Sequence, residues 1–258
     1  MTNRSVRLVQ FTDTHLLADP AGKLRGALTL PRLQACLAHA QRHFFPADAI
    51  ALTGDIVQDD PTAYGAIELI FEDLGLPVLL IPGNHDVPVE MARRLAHPPF
   101  QVGGEYHTDN GWQVLLLDSW FAESDDGEGR LGDGQLAALE QALAAAAKPH
   151  SFVFLHHPPV PMESPGLDAL GLLDARAFID TVSRHPRVRG IAWGHAHQAL
   201  DIYAGNLRLM CTPATSMQFT PRAGFKIDDR PPGYRVLELG EDGSIASEVV
   251  WLEGYRDA

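Results

Sequence analysis

Short apolar runs bounded by polar residues alternate with amphipathic stretches along the first three quarters of the chain. Residues 6–11, 49–53, 78–81, 112–117, 152–155 and 190–193 read as buried-type strands. Between them Leu30, Leu33, Leu37, Ala40 and Phe44 recur at helical spacing after the start signal Thr29-Leu30-Pro31. Asp60-Pro61 opens a second helix, with Ile67, Ile70, Phe71 and Leu74 on one face and Gly75 as its stop. Residues 133–147 and 174–185 read as two more helices. From about Leu200 the pattern changes: residues 200–203, 207–211, 234–239 and 245–252 look like strands joined by turns such as Ala204-Gly205-Asn206. The pattern predicts an α/β body that ends in a β-rich quarter. No linker divides it, so residues 1–258 are expected to form a single domain.

Composition limits what such a body does. With 258 residues, 45% of them hydrophobic, the chain has ample material for a core and is not generally disordered. A net charge of −13 makes it a poor partner for a nucleic-acid polymer or an anionic membrane. No run approaches the roughly 20 apolar residues of a membrane span, and residues 6–11, broken by Arg7 and Gln10, are too short for a signal-peptide core. A cytoplasmic protein is expected. Cys36 and Cys211 form no CxxC pair and read as buried small hydrophobes.

The candidate chemistry lies in five clusters, each just after a predicted apolar strand. They are Asp13-Thr14-His15, Gly54-Asp55, Gly83-Asn84-His85-Asp86, His156-His157-Pro158 and Gly194-His195-Ala196-His197. In open α/β sheets the ligand crevice lies beyond the carboxyl ends of the strands, so five strand ends could deliver five clusters to one rim. Carboxylate, imidazole and amide oxygen without thiolate suit borderline or hard metal ions. Asp13, His15, Asp55, Asn84, His156, His195 and His197 exceed the needs of one tetrahedral ion. With Asp55 shared, they make two sites, the arrangement that clamps the attacking and leaving oxygens of a displacement at phosphorus. Gly54, Gly83 and Gly194 precede ligand residues, where a sharp turn and close backbone packing are expected.

These motifs, in this order, resemble the calcineurin-like metallophosphoesterases. The stretches Phe11-Thr12-Asp13-Thr14-His15-Leu16, Thr53-Gly54-Asp55-Ile56-Val57-Gln58-Asp59, Leu116-Leu117-Asp118-Ser119, Thr212-Pro213-Ala214-Thr215-Ser216-Met217-Gln218-Phe219 and Pro232-Gly233-Tyr234-Arg235-Val236-Leu237-Glu238-Leu239 are similar to its class III cyclic-nucleotide phosphodiesterase branch. The resemblance implies a four-layer αββα sandwich. It implies that Asp13, His15, Asp55 and His197 hold one metal ion and Asp55, Asn84, His156 and His195 a second, the pair drawn from iron, manganese or zinc. It further implies that His85 faces the substrate phosphate with Asp86 orienting it. The expected reaction is in-line attack of a metal-bridging hydroxide on a 3′,5′-cyclic nucleotide, with cyclic AMP giving 5′-AMP and His85 as general acid. Other phosphoesters of the same fold compete: a glycerophosphodiester, a 2′,3′-cyclic nucleotide or a lipid precursor. A non-catalytic scaffold competes more distantly, though such relatives lose ligands that this chain keeps. A monomer or homodimer acting on a small-molecule phosphodiester is expected.

Other residues carry weaker expectations. Strand alternation turns His157 away from its neighbour, toward supporting or substrate-binding work beside Asn84 and His85. Gln58 and Asp59 either support the site or begin the next helix, with the helix start favoured. The acidic stretch at 123–128 reads as a solvated loop. In the proline-rich loop 212–232, Phe219, Arg222, Phe225 and Lys226 read equally as lining of a base or phosphate pocket and as ordinary packing. His39 and His43 read as an exposed helical face; His97, His107, His150 and His185 read as surface residues.

Overall fold

In the computed structural model, which describes residues 4–257, the apolar runs sort into two sheets. The elements are β1 (Ser5–Phe11), β2 (Lys23–Leu24), β3 (Ala27–Leu28), α1 (Thr29–Phe44), β4 (Ala49–Thr53), α2 (Tyr64–Phe71), β5 (Val78–Ile81), α3 (Pro88–Leu95), β6 (Phe100–Val102), β7 (Gly104–His107), β8 (Trp112–Leu116), α4 (Gly132–Ala145), β9 (His150–Phe154), α5 (Pro165–Asp168), α6 (Ala175–Ser183), β10 (Val188–Trp193), β11 (Leu200–Ala204), β12 (Leu207–Cys211), β13 (Gln218–Phe219), β14 (Ile227–Asp228), β15 (Gly233–Gly240) and β16 (Ile245–Trp251). The first sheet runs β16-β15-β1-β4-β5-β6 and the second β11-β12-β10-β9-β8-β7. In each, the central neighbours pair in parallel. Antiparallel strands complete the sheets: β15 and β16 in the first, β7 and β11 in the second.

Period-two alternation makes the layers. Val6, Leu8, Ala49, Ala51, Leu79 and Ile81 face Val114, Leu116, Phe152, Phe154, Ala192 and Met210 across the space between the sheets. Their neighbours Val9, Phe11, Ile50 and Leu52 turn outward beneath Leu33 and Leu37 of α1 and Ile67 of α2. On the far side Val153, Ile191 and Leu209 lie under Leu139 and Leu143 of α4 and Phe178 and Val182 of α6. Both faces of the parallel strands are therefore buried, which is why they read as unbroken apolar runs. The result is the expected αββα sandwich.

The β-rich last quarter is divided between the layers. β15 and β16 extend the first sheet beside β1, with Leu8 opposite Leu237, and β11 and β12 extend the second. Eight short elements were not expected from the pattern: α3, β6, β7, α5 and the small hairpins β2–β3 and β13–β14 add no long apolar run. β6 is three residues long and β7 is largely exposed, so neither carries an apolar signature. The helix expected after Asp60 is a 3-10 turn, then α2, then a second 3-10 turn. No helix among the described residues is long and apolar enough to cross a membrane.

Candidate active site

The parallel strands of both sheets deliver the predicted clusters to one rim. Asp13 and His15 follow β1, Asp55 follows β4, and Asn84, His85 and Asp86 follow β5. His156 and His157 follow β9, and His195 and His197 follow β10. The backbone there is held in an uncommon form. Asp13 (φ 52°), His15 (45°), Asp55 (49°), His195 (63°) and His197 (49°) all adopt left-handed conformations, at about 1–2 kcal/mol each for an L-residue. Cross-strand bonds hold them: Asp13 N–H donates to Gly54 O (3.0 Å), His15 N–H to Asp55 O (2.8 Å) and Gly194 N–H to His156 O (3.2 Å). Such strain persists only where the surroundings over-determine it, commonly at functional sites.

The three glycines act mainly through space. A Cβ at Gly83 would stand 2.3 Å from Asp55 Oδ1, and one at Gly194 would stand 2.6 Å from Asp13 Oδ2. At Gly54 it would lie 2.2 Å from His156 Nδ1. Only Gly54 also has a positive φ, +93°. The expected sharp-turn role therefore applies to Gly54; Gly83 and Gly194 instead leave room for carboxylates.

Asp13, His15, Asp55 and His197, all buried, bring their ligand atoms within 4.8 Å of one another. His15 Nε2 lies 3.1 Å from His197 Nε2, and His197 Nε2 lies 3.3 Å from Asp13 Oδ1. Asp55 Oδ2 stands between the halves, 3.6 Å from His15 Nε2 and 3.4 Å from His156 Nε2. On the other side, His156, His157 and His195 form a second group, and Asn84 Oδ1 lies 3.0 Å from His195 Nδ1. Outer partners fix the rings: His156 Nδ1–H donates to Thr53 O (2.9 Å), His197 Nδ1–H to Met217 O (2.7 Å) and His15 Nδ1–H to Gln58 Oε1 (2.8 Å). This sets tautomers that leave Nε2 lone pairs facing inward.

Electrostatics agrees with a cation-binding centre. Burial pushes His15 down to about 4 and, helped by His156, His195 down to about 3, so both rings are neutral. Burial opposes charge on His156 as well, but Asp55 outweighs it and raises the ring to about 9. Positive charge is thus favoured beside the Asp13 and Asp55 carboxylates, which burial disfavours but neighbouring histidines hold below their ordinary range. The buried His156 Nε2 and His195 Nε2 have no hydrogen-bond partner. An orphaned buried nitrogen costs about 1–3 kcal/mol, and a metal ion relieves it. The donor set of carboxylates, imidazoles and one amide oxygen therefore fits two metal ions.

The arrangement around His85 corrects one expectation. Asp86 does not orient it. Asp86 is buried and accepts from Ile56 N, Val57 N, Gly83 N and Tyr64 Oη (2.9–3.2 Å), so it braces the turns after β4 and β5. His85 Nδ1 instead lies 2.9 Å from Asp59 Oδ1 and 2.8 Å from Gln58 Nε2. Gln58 also donates to Asp59 Oδ2 (2.6 Å) and so links His15 to His85. The expectation that Asp59 begins a helix is likewise corrected: Asp60 caps the 3-10 turn, accepting from Thr62 N, while Asp59 belongs to the site. Burial disfavours charge on His85, but Asp55 and the hydrogen-bonded Asp59 outweigh it and raise its pKa.

His157 is also corrected as a substrate contact. It is fully buried, accepts from Ser119 Oγ (2.8 Å) through Nδ1 and donates to Gly127 O (3.2 Å) through Nε2. It holds the acidic loop in place, and that loop sends Asp126 to the cavity wall. Residues 212–217 support the other side: Ser216 Oγ donates to Asp13 O (2.6 Å) and Thr215 N–H to Thr12 O (3.1 Å). Neither contact was legible in spacing. His15, Asp55, Asn84, His85, His195 and His197 all open onto one cavity of about 530 Å3. Of the remaining histidines, His39 is half-buried and bonds Tyr234 Oη (2.8 Å), unlike the exposed face expected.

Comparison with known proteins accords with this geometry. The family profile described as calcineurin-like phosphoesterase matches residues 6–199. A Vibrio vulnificus protein named 3′,5′-cyclic adenosine monophosphate phosphodiesterase CpdA is 36% identical over 251 residues, covering 96% of this chain and 91% of its own. The Escherichia coli protein of the same name is 36% identical over 253 residues, covering 97% and 91%. Among solved structures, a dimetal phosphatase from Danio rerio superposes with a TM-score of 0.69 at 12% identity, covering 95% of this chain and 98% of that one; this likeness concerns the fold alone.

Proposed function

The chain belongs to the calcineurin-like phosphoesterases, and from that premise we infer that it hydrolyses 3′,5′-cyclic nucleotides, converting cyclic AMP to 5′-AMP. The observation that carries the reading is a constellation of carboxylates, imidazoles and amide of which His15, Asp55, Asn84, His195 and His197 open with His85 onto one cavity. The near full-length relatives named for cyclic AMP supply the substrate class.

The centre is dinuclear. Asp13, His15, Asp55 and His197 would hold one ion and Asp55, Asn84, His156 and His195 the other, with iron, manganese or zinc all suited to these donors. Such ions, when bound, activate water and neutralise charge at phosphorus. The chain's own groups supply the remainder. Water oxygen adds to phosphorus as the P–O3′ bond breaks, and the departing sugar oxygen needs a proton. His85, held at Nδ1 by Asp59, keeps Nε2 free to deliver it. The whole chain is read as one catalytic domain, because β11, β12, β15 and β16 complete the two sheets that carry the site. It is read as cytoplasmic, acting on a small-molecule diester.

A panel of diesters assayed with added manganese tests the reading. Cyclic AMP should be turned over faster than 2′,3′-cyclic AMP, a glycerophosphodiester or bis(p-nitrophenyl) phosphate. Rapid cleavage of the nitrophenyl ester with negligible cyclic AMP turnover would overturn it.

A further inference from the structure

The cavity has two chemically different ends. One holds the metal-type ligands and His85. The other is walled by rings and a guanidinium from hairpins that no ligand motif includes. Phe219, at the end of β13, stacks on His197 with centroids 4.5 Å apart and planes at 26°. Phe225 meets Phe219 edge to face at 5.5 Å. The ring series thus begins at the metal-type centre and runs outward to Phe225, which is 42% exposed at the cavity wall.

Arg25 joins the same wall. It sits at the tip of the β2–β3 hairpin with φ 48°, next to Gly26 at φ 91°, a pair of left-handed residues typical of a tight hairpin turn. Its guanidinium carbon lies 5.7 Å from the Phe219 centroid. It has no hydrogen bond or ion pair among the described residues, and it is the sole Lys or Arg lining the cavity. The aromatic wall is fixed before any ligand arrives. Gly224 N–H donates to Ser164 Oγ (3.1 Å), Arg222 pairs with Glu163 (2.5 Å), and Phe225 packs against Gly166, where a Cβ would stand 3.4 Å from its ring. Arg222 is therefore spent on the wall, and Lys226 does not line the cavity.

We propose that Phe219, Phe225 and Arg25 form the base-binding platform, on which the heterocycle of the nucleotide stacks while its phosphate lies at the ligand cluster. The inference rests on the cyclic-nucleotide reading and extends it to named specificity residues. Aromatic rings and a guanidinium plane both offer flat, polarisable faces to a base. A lipid tail would call for an aliphatic channel instead. Pinning Phe225 in advance removes ordering entropy that binding would otherwise have to overcome.

The test compares dissociation constants of 5′-AMP and ribose 5-phosphate on the metal-loaded protein, reported as their ratio. The adenine should tighten binding by roughly tenfold in the wild type, within the range for base–aromatic stacking. Phe225→Ala should bring the ratio close to one, and Phe225→Trp should restore it. Arg25→Met should lower it partway. A ratio unchanged in Phe225→Ala, including equal weakening of both ligands, would overturn the platform. Wild-type protein that turns over cyclic AMP without preferring 5′-AMP overturns the platform alone. An intact adenine preference without cyclic AMP turnover keeps the platform and overturns the hydrolase reading.

Discussion

His85 takes its carboxylate partner from a neighbouring strand end rather than from its own motif. Asp86, the adjacent residue, is consumed by two backbone turns and Tyr64, whereas Asp59 reaches Nδ1 from the loop after β4. Two substitutions separate the roles. His85→Ala should keep its metal content, measured by elemental analysis, while kcat falls roughly 10²–10⁴-fold, the scale of a lost acid–base group. Asp59→Asn keeps the hydrogen-bond geometry but removes the charge. It should lower kcat by about tenfold with little change in KM, because it acts on the imidazole and not on substrate binding. A variant at Asp59 with wild-type kcat would return that residue to an ordinary loop carboxylate. Asp86→Asn should be felt instead as lost stability in a denaturant titration. The pairing of His85 with Asp59 was not legible because the two residues are 26 positions apart, and only the packing of two strand ends makes them neighbours.

At the scale of elements, five strand ends carry the site, and the loops after them are strained and crowded. The left-handed Asp13, His15, Asp55, His195 and His197 are tolerated because neighbouring turns bond one another across β1 and β4 and across β9 and β10. The positions of these clusters after apolar runs were legible, since a strand end followed by polar ligand residues is a local pattern. The crowding was not. Gly83→Ala puts a methyl 2.3 Å from Asp55 Oδ1. Overpacking of this kind costs about 1–3 kcal/mol, and here the displaced atom belongs to the carboxylate that stands between His15 and His156, the one proposed to serve both ions. The variant should lose metal as well as stability, seen as reduced metal stoichiometry after gel filtration and a lower unfolding midpoint. Full metal occupancy in Gly83→Ala would show that the turn relaxes without moving Asp55.

The whole molecule is two sheets that share a buried polar seam as well as an apolar core. Arg235, on β15 of the first sheet, is fully buried and donates to Thr212 Oγ1 (3.0 Å), Ser247 Oγ (2.6 Å), Leu200 O (3.0 Å) and Cys211 O (2.7 Å). Thr212 donates to Gln10 (2.7 Å), and Gln10 to Thr53 (2.9 Å), whose carbonyl fixes the His156 ring. The seam therefore ties the second sheet's edge to a metal-type ligand. Arg235→Met should destabilise the fold by roughly 3 kcal/mol, through several acceptors left unpaired, measured by urea unfolding. Chelation should act on the same scale. An ion at 100 times its dissociation constant contributes about 2.7 kcal/mol, so stripping metal should lower Tm by roughly 5–10 °C. An unchanged Tm would mean that the buried carboxylates and imidazoles are balanced without a cation.

Local pattern by itself determined an α/β body with clusters of ligand-type residues at its strand ends, and the order of those motifs, through family resemblance, implied the αββα layering. Apolar runs specify buried strands, and ligand-type residues just beyond them specify a rim, because both signals lie within a few consecutive residues. Tertiary structure alone decided which carboxylate serves His85, that Asp86 and His157 brace loops, and that Arg25 lies over Phe219 at the cavity wall. It also decided that the β-rich last quarter finishes both sheets. These facts depend on contacts between residues far apart in the chain, whose pairing is set by how two twisted sheets and their loops pack, and no local periodicity encodes that.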